Sequence, residues 1–220
     1  MSVRADEQGG PRSTVRRGLA LWCALVAVVG AGGIGSRTLG GAWSRFDLDS
    51  ELTAAAFVSG AALALAGACC LWAASRTVGG APMVVLGVGL LAMSADEVLR
   101  LHEQLESRAQ VDWQVLYSPV AVCFLVAFVL VARRRRGERW FLGPWVAGAG
   151  FWLLAQTLEA VQWDGAVRRD HYVVLMITEE LGELLGTGCF AVAAWALGRE
   201  VVRRRGSRTA APGGLPAGPR

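Results

Sequence analysis

The chain has 220 residues, 54% of them hydrophobic and 18% charged, with a formal net charge of +4 and a mean hydropathy of +0.41. An average soluble domain is about 45–50% apolar and ~25% charged, so this excess of apolar surface needs lipid. The same balance excludes a disordered chain, a collagen-like fibre and a disulfide-stapled secreted module. All 22 basic residues are arginine and fall in clusters at segment ends, a topology signal rather than a nucleic-acid-binding face; no nucleotide motif occurs.

Residues 1–17 read as a basic, disordered N-terminal tail. A spanning helix needs ~20 apolar residues, because ~30 Å of hydrocarbon is crossed at 1.5 Å per residue. Six stretches qualify: Gly18 to Gly35, Leu52 to Ala74, Gly80 to His102, Trp113 to Ala132, Trp140 to Trp163, and Tyr172 to Leu197. The first has a signal-peptide-like basic flank, yet it lacks a cleavage site and precedes five more spans, so it is read as a membrane helix. Residues 199–220 form a second basic, flexible tail. The expected fold is therefore all-α, an integral membrane bundle of about six transmembrane helices over residues 18–198.

Cys23, Cys69, Cys70, Cys123 and Cys189 lie inside apolar runs without the spacing of a zinc site or disulfide framework, and are read as small packing residues. Gly60, Gly67, Gly87 and Gly89 are expected where helices approach closely. A cytoplasmic N-terminus puts Arg4, Arg12, Arg16, Arg17, Arg76, Arg133 to Arg136, Arg139 and the 199–208 cluster on the inner side. Few arginines then remain outside, so the positive-inside bias predicts both termini cytoplasmic in a cell (inner) membrane.

The third span ends in Asp96-Glu97-Val98-Leu99-Arg100-Leu101-His102-Glu103. As one continuous helix at 100° per residue, it places Asp96, Arg100 and Glu103 on one face, with Glu97 and His102 to either side. The sixth span gathers Glu179, Glu180 and Glu183 within an arc of about 100°, and the fifth adds Gln156 and Glu159, flanked by Trp152 and Trp163. A mid-bilayer carboxylate costs on the order of 2.5–3.5 kcal/mol on an insertion scale, so these acids are expected to face one another inside the bundle. They lie late in two outward-running spans and early in one inward-running span, which predicts convergence on the non-cytoplasmic half. Asp112, Trp113, Tyr117 and His171 are expected around its mouth.

The block Asp96-Glu97-x4-His102-Glu103, followed by a later Glu-Glu-x-x-Glu helix, resembles a group of small bacterial multipass membrane proteins over about the last two-thirds of the chain. The resemblance implies a shared intramembrane polar site and assigns no reaction.

Asp96, Glu97, His102, Glu103, Glu159, Glu179, Glu180 and Glu183 are candidate catalytic groups, because clustered carboxylates and an imidazole suit general acid–base work. Glu97, His102, Glu103, Glu180 and Glu183 are also candidate ligands for a divalent metal, Mg, Mn, Fe or Zn. Gln156, Trp152, Trp163 and Tyr117 are candidates for holding a bound group beside them. The Glu97-to-His102 spacing departs from the Glu-x-x-His of di-iron bundles, and neither DDxxD nor NDxxDxxxD occurs.

The reading leans toward a membrane enzyme acting on a lipidic, isoprenoid-like substrate by metal-assisted or acid/base chemistry, cyclase-like in one version. Its expected partners are membrane lipids and a hydrophobic small molecule, not nucleic acid. A proton- or cation-coupled transporter or channel is the first alternative, and a structural or sensory membrane subunit the second. Topology is checked by reporter fusions: reporters placed after Arg76 and after Thr209 are expected on one side of the membrane, and one placed after Arg108 on the other.

Overall fold

A computed structural model describes residues 10–39, 41–48, 53–76, 80–111, 113–164 and 167–209. In chain order it contains α1 (Pro11–Leu39), a 3-10 turn (Gly41–Phe46), α2 (Ala54–Ala74), α3 (Ala81–Leu99), α4 (Leu101–Ala109), α5 (Trp113–Arg134) and α6 (Arg139–Gln162). A two-residue hairpin, β1 (Trp163–Asp164) and β2 (Val167–Arg168), leads to α7 (Tyr172–Thr209). Six of these helices are long and apolar enough to cross a bilayer. The chain is an all-α multipass membrane protein.

Local sequence explains the helix starts. Pro11 opens α1 and Pro82 lies in the first turn of α3, where a missing backbone N–H removes no helical hydrogen bond. Two helices run well past the bounds read from the sequence. Helix α1 begins at Pro11 rather than Gly18, and α7 continues to Thr209 rather than Leu197, so residues 11–17 and 199–209 of the expected tails are helical. The rest of those tails, 1–9 and 210–220, lies outside the described residues. Continuing the flanking helices keeps backbone groups paired where the chain leaves the lipid, and arginine side chains can extend from such turns into the headgroup region.

Helix α7 occupies the centre. Its most apolar stretch is 72% buried, against 11% for α5, and it packs on α1, α2 and α6. Helix α2 also packs on α3, which carries α5 on its far side. Toward the arginine-rich end the core is aromatic: Trp145 is fully buried, stacks on Phe141 at 5.1 Å and Phe128 at 5.9 Å, and meets the edge of Phe190 at 5.1 Å.

Close helix approach depends on paired small residues, as the sequence suggested. A Cβ at Gly67 would sit 2.8 Å from the Gly87 carbonyl oxygen, and one at Gly148 would sit 3.0 Å from that of Gly186. Lipid tails are as apolar as the helices, so such contact and hydrogen bonding hold membrane helices together. The tightest fit lies between α1 and α7. The Trp22 indole occupies the space a side chain at Gly188 would need, and its Nε1–H donates to the Leu184 carbonyl at 2.7 Å. Replacing Gly188 with alanine is expected to expel the ring and cost about 1–3 kcal/mol, an overpacking penalty. Thermal unfolding in detergent checks this, and Gly150→Ala, with nothing within 4 Å of the added Cβ, is the control expected to unfold near wild type.

Candidate functional site: a layer of hydrogen-bonded carboxylates

The third span is not one continuous helix. Arg100 adopts left-handed backbone angles, φ 55° and ψ 45°, and caps α3 by donating its N–H to the Asp96 carbonyl at 2.7 Å. The chain then restarts as α4, with Gln104 N–H bonded to the Arg100 carbonyl at 3.2 Å. The expected common face of Asp96, Arg100 and Glu103 is therefore overturned, because helical rotation stops at Arg100. In its place the break folds His102 back over Asp96.

Asp96 uses both carboxylate oxygens. Oδ1 accepts the His102 backbone N–H at 2.7 Å and the Tyr117 hydroxyl at 3.4 Å, while Oδ2 lies 3.1 Å from the His102 Nδ1. A carboxylate at a helix start satisfies an orphan amide and sits favourably in the helix dipole. It also fixes the ring: with the Nδ1–H donated to Asp96, Nε2 presents the lone pair. The Asp96 side chain is 17% exposed and that of His102 27%, so the pair is sheltered yet reachable.

The other acids meet amides. Gln156 Nε2 donates to Glu183 Oε1 at 3.4 Å, joining α6 to α7, and Gln114 Nε2 donates to Glu159 Oε2 at 3.4 Å, joining α5 to α6. Gln162 donates to Glu179. Positions 156, 159 and 162 recur every three residues on α6, facing positions 179 and 183 one turn apart on α7. Glu97 belongs to the same layer: it lies within electrostatic reach of Glu183, as do Glu159 and Glu179. Its Cγ comes 3.8 Å from where a Gly60 Cβ would stand, and Ser94 Oγ bonds the Gly60 carbonyl at 2.7 Å. Tyr117 and Gln114, one turn apart on α5, connect the Asp96–His102 pair to the glutamates.

One turn below Glu183, the fully buried Thr187 hydroxyl accepts from Trp152 Nε1 at 3.3 Å and lies 3.5 Å from Ser59 Oγ. Trp152 thus acts as a bridge between α6 and α7. Glu180 is partly buried on α7, and His171 is exposed before it. The side chains of Glu103, Trp113 and Trp163, and all of Asp112, lie outside the described residues.

Sequence reasoning missed Gln114, Gln162, Ser59, Ser94 and Thr187. The three-residue step from Gln156 through Glu159 to Gln162 and the four-residue step from Glu183 to Thr187 were available signals, whereas Gln114 and Ser59 become visible only through packing. Among the described residues, no three His, Cys, Asp or Glu side chains are grouped to hold a metal ion. The donors that approach the carboxylates are amides, a phenol and an imidazole.

Residues 18–197 match the family model described as "Domain of unknown function (DUF8692)", and the chain belongs to that family. No curated protein and no solved structure matches it.

The double use of Asp96 sets a graded expectation. Asp96→Ala is expected to cost about 1–2 kcal/mol, as for loss of a helix cap. Asp96→Asn, which keeps an oxygen for the His102 amide, is expected to cost less. Thermal unfolding of the two variants in the same detergent decides it, and equal losses would remove the capping role.

Proposed function

We propose that the protein is a membrane-embedded acid–base enzyme acting on a lipidic, isoprenoid-like substrate. The observation that carries this reading is the Asp96–His102 pair, an imidazole oriented by a carboxylate that also caps a helix. Such a pair is the arrangement a general base needs: a ring held in place and a tautomer defined by its carboxylate. His102 takes the proton through Nε2, Asp96 steadies the imidazolium that forms, and Tyr117 is placed beside the same carboxylate.

Glu183 is the proton donor in this scheme. It shares electrostatic reach with Glu97, Glu159 and Glu179, and repulsion among four carboxylates at this depth is relieved when they share protons. The amide of Gln156 holds its side chain in place. The acid–base version is favoured over the metal-assisted one because the described residues offer amide-tied carboxylates rather than a ligand trio. By the positive-inside argument the layer lies in the non-cytoplasmic half of a cell membrane, and α5, which carries Gln114 and Tyr117, is the least buried of the six spans.

A second reading, a proton- or cation-coupled transporter, is supported by the same glutamates, since acids on α3, α6 and α7 in mutual reach could pass a proton between them. Reconstituted protein separates the two. With a panel of polyprenyl and phospholipid substrates, product is expected by mass spectrometry, and His102→Ala and Glu183→Gln are each expected to lower turnover by about 10²–10⁴-fold, the usual contribution of a positioned acid or base. Wild-type rates in both variants would sink the site. Glu183-dependent collapse of an imposed pH gradient without product would establish the transporter in its place.

A further inference from the structure

The opposite end of the bundle carries a different chemistry. Glu200, only 6% exposed, accepts from Arg203 Nε at 2.8 Å and Nη2 at 3.0 Å and from Arg204 Nε at 2.7 Å. Arg204 also reaches Glu138 at 3.6 Å, which Arg135 holds at 2.9 Å. Those carboxylates are thus engaged by arginines that outnumber them. Arg199, one turn before Arg203 on α7, makes no ion pair among the described residues.

Arg199 stands on a ridge between two cavities. One, of about 310 Å³, lies between α1 and α7 and is walled by Pro11, Thr14, Arg199, Glu200 and Arg203. The other, of about 340 Å³, lies between α2 and α7 against Ala68, Trp72, Trp195 and Gly198. The first is rimmed by cations and the second is mostly apolar, with Arg76 stacked 5.1 Å from the ring centroid of Trp72. Arg199 and Val202 border both. Along the ridge Trp195 is 48% exposed and Val202 57%, so the strip faces the bilayer.

A cationic hollow joined to an apolar groove at a membrane boundary is complementary to an amphipathic anion. We propose that this strip binds one anionic phospholipid from the adjoining leaflet, its phosphate beside Arg199 and Arg203 and an acyl chain along the α2–α7 groove. Charge complementarity selects the headgroup, because surface arginines attract anionic lipids and a planar guanidinium matches phosphate oxygens. The adjoining groove selects a lipid over a free phosphate. This site is remote from the carboxylate layer and independent of the reaction proposed there.

The test is native mass spectrometry of the full-length, delipidated protein titrated with phosphatidylglycerol, phosphatidylcholine of the same chains, or inorganic phosphate. One phosphatidylglycerol is expected to bind in preference to phosphatidylcholine. Arg199→Gln is expected to weaken it about fivefold, the effect of one cation near an anionic surface. Ala68→Phe, which fills the groove without changing charge, is expected to weaken it as well, while the exposed Arg136→Gln leaves it within twofold. Equal binding of the two phospholipids, equal loss in Arg136→Gln, or displacement by equimolar inorganic phosphate would each overturn the proposal. Intrinsic tryptophan unfolding curves confirm that each variant is folded before it is scored.

Discussion

Carboxylates do not stay in hydrocarbon without partners, and that constraint organises this molecule. At least five acids, Asp96, Glu97, Glu159, Glu179 and Glu183, lie within helices otherwise apolar enough to span a bilayer. Each would oppose insertion if it met lipid, so the helices that carry them must turn those faces inward and supply donors. The donors are amides and aromatic groups from neighbouring helices: Gln114 and Tyr117 on α5, Gln156 and Gln162 on α6. Pairing the acids therefore also pairs the helices. Two ends follow from this, a carboxylate layer at one and an arginine network at the other, with an apolar and aromatic middle between them.

Helix α7 is where the two requirements meet. Its first half holds Glu179 and Glu183 interleaved with Gly182 and Gly186, Gly188 follows near its middle, and its last turns carry Glu200 and the arginines. The glycines let α6 and the Trp22 ring of α1 come close enough to bury the helix. That closeness in turn holds the glutamates within reach of the α6 amides. Packing and polar chemistry are thus one problem in this bundle, because the depth that shelters the acids is created by the same close contacts.

Membership of a domain family without an assigned function leaves the chemistry to be argued from the site alone. The site's distinguishing feature is its asymmetry. Glu159, Glu179 and Glu183 accept from neutral amides and Glu97 lies within electrostatic reach of Glu183, whereas the single aspartate of the layer is committed to an imidazole and a helix start. An imidazole–carboxylate pair and a group of glutamates thereby lie in one layer, joined by Gln114 and Tyr117 of α5.

Much of this was legible in the residues. Six spans, the inward-facing acids and the close-packing glycines follow from hydrophobic run length, from the cost of charge in lipid and from the absence of side chains at Gly67 and Gly87, all of which are properties of the chain itself. The end of the third span was not legible. Nothing in Asp96 to Glu103 marks Arg100 as left-handed, since it is neither glycine nor asparagine, and a helical wheel drawn through it places His102 wrongly. That conformation is held by the capping bonds of Asp96 to Arg100 and His102, and by Tyr117, twenty-one residues away, reaching the same carboxylate. Which amide serves which acid, and that Thr187 meets Ser59 and Trp152, were likewise decided only by helix packing. Periodicity specifies the face of a helix on which a residue lies, but the neighbour that face meets depends on contacts between segments far apart in the chain.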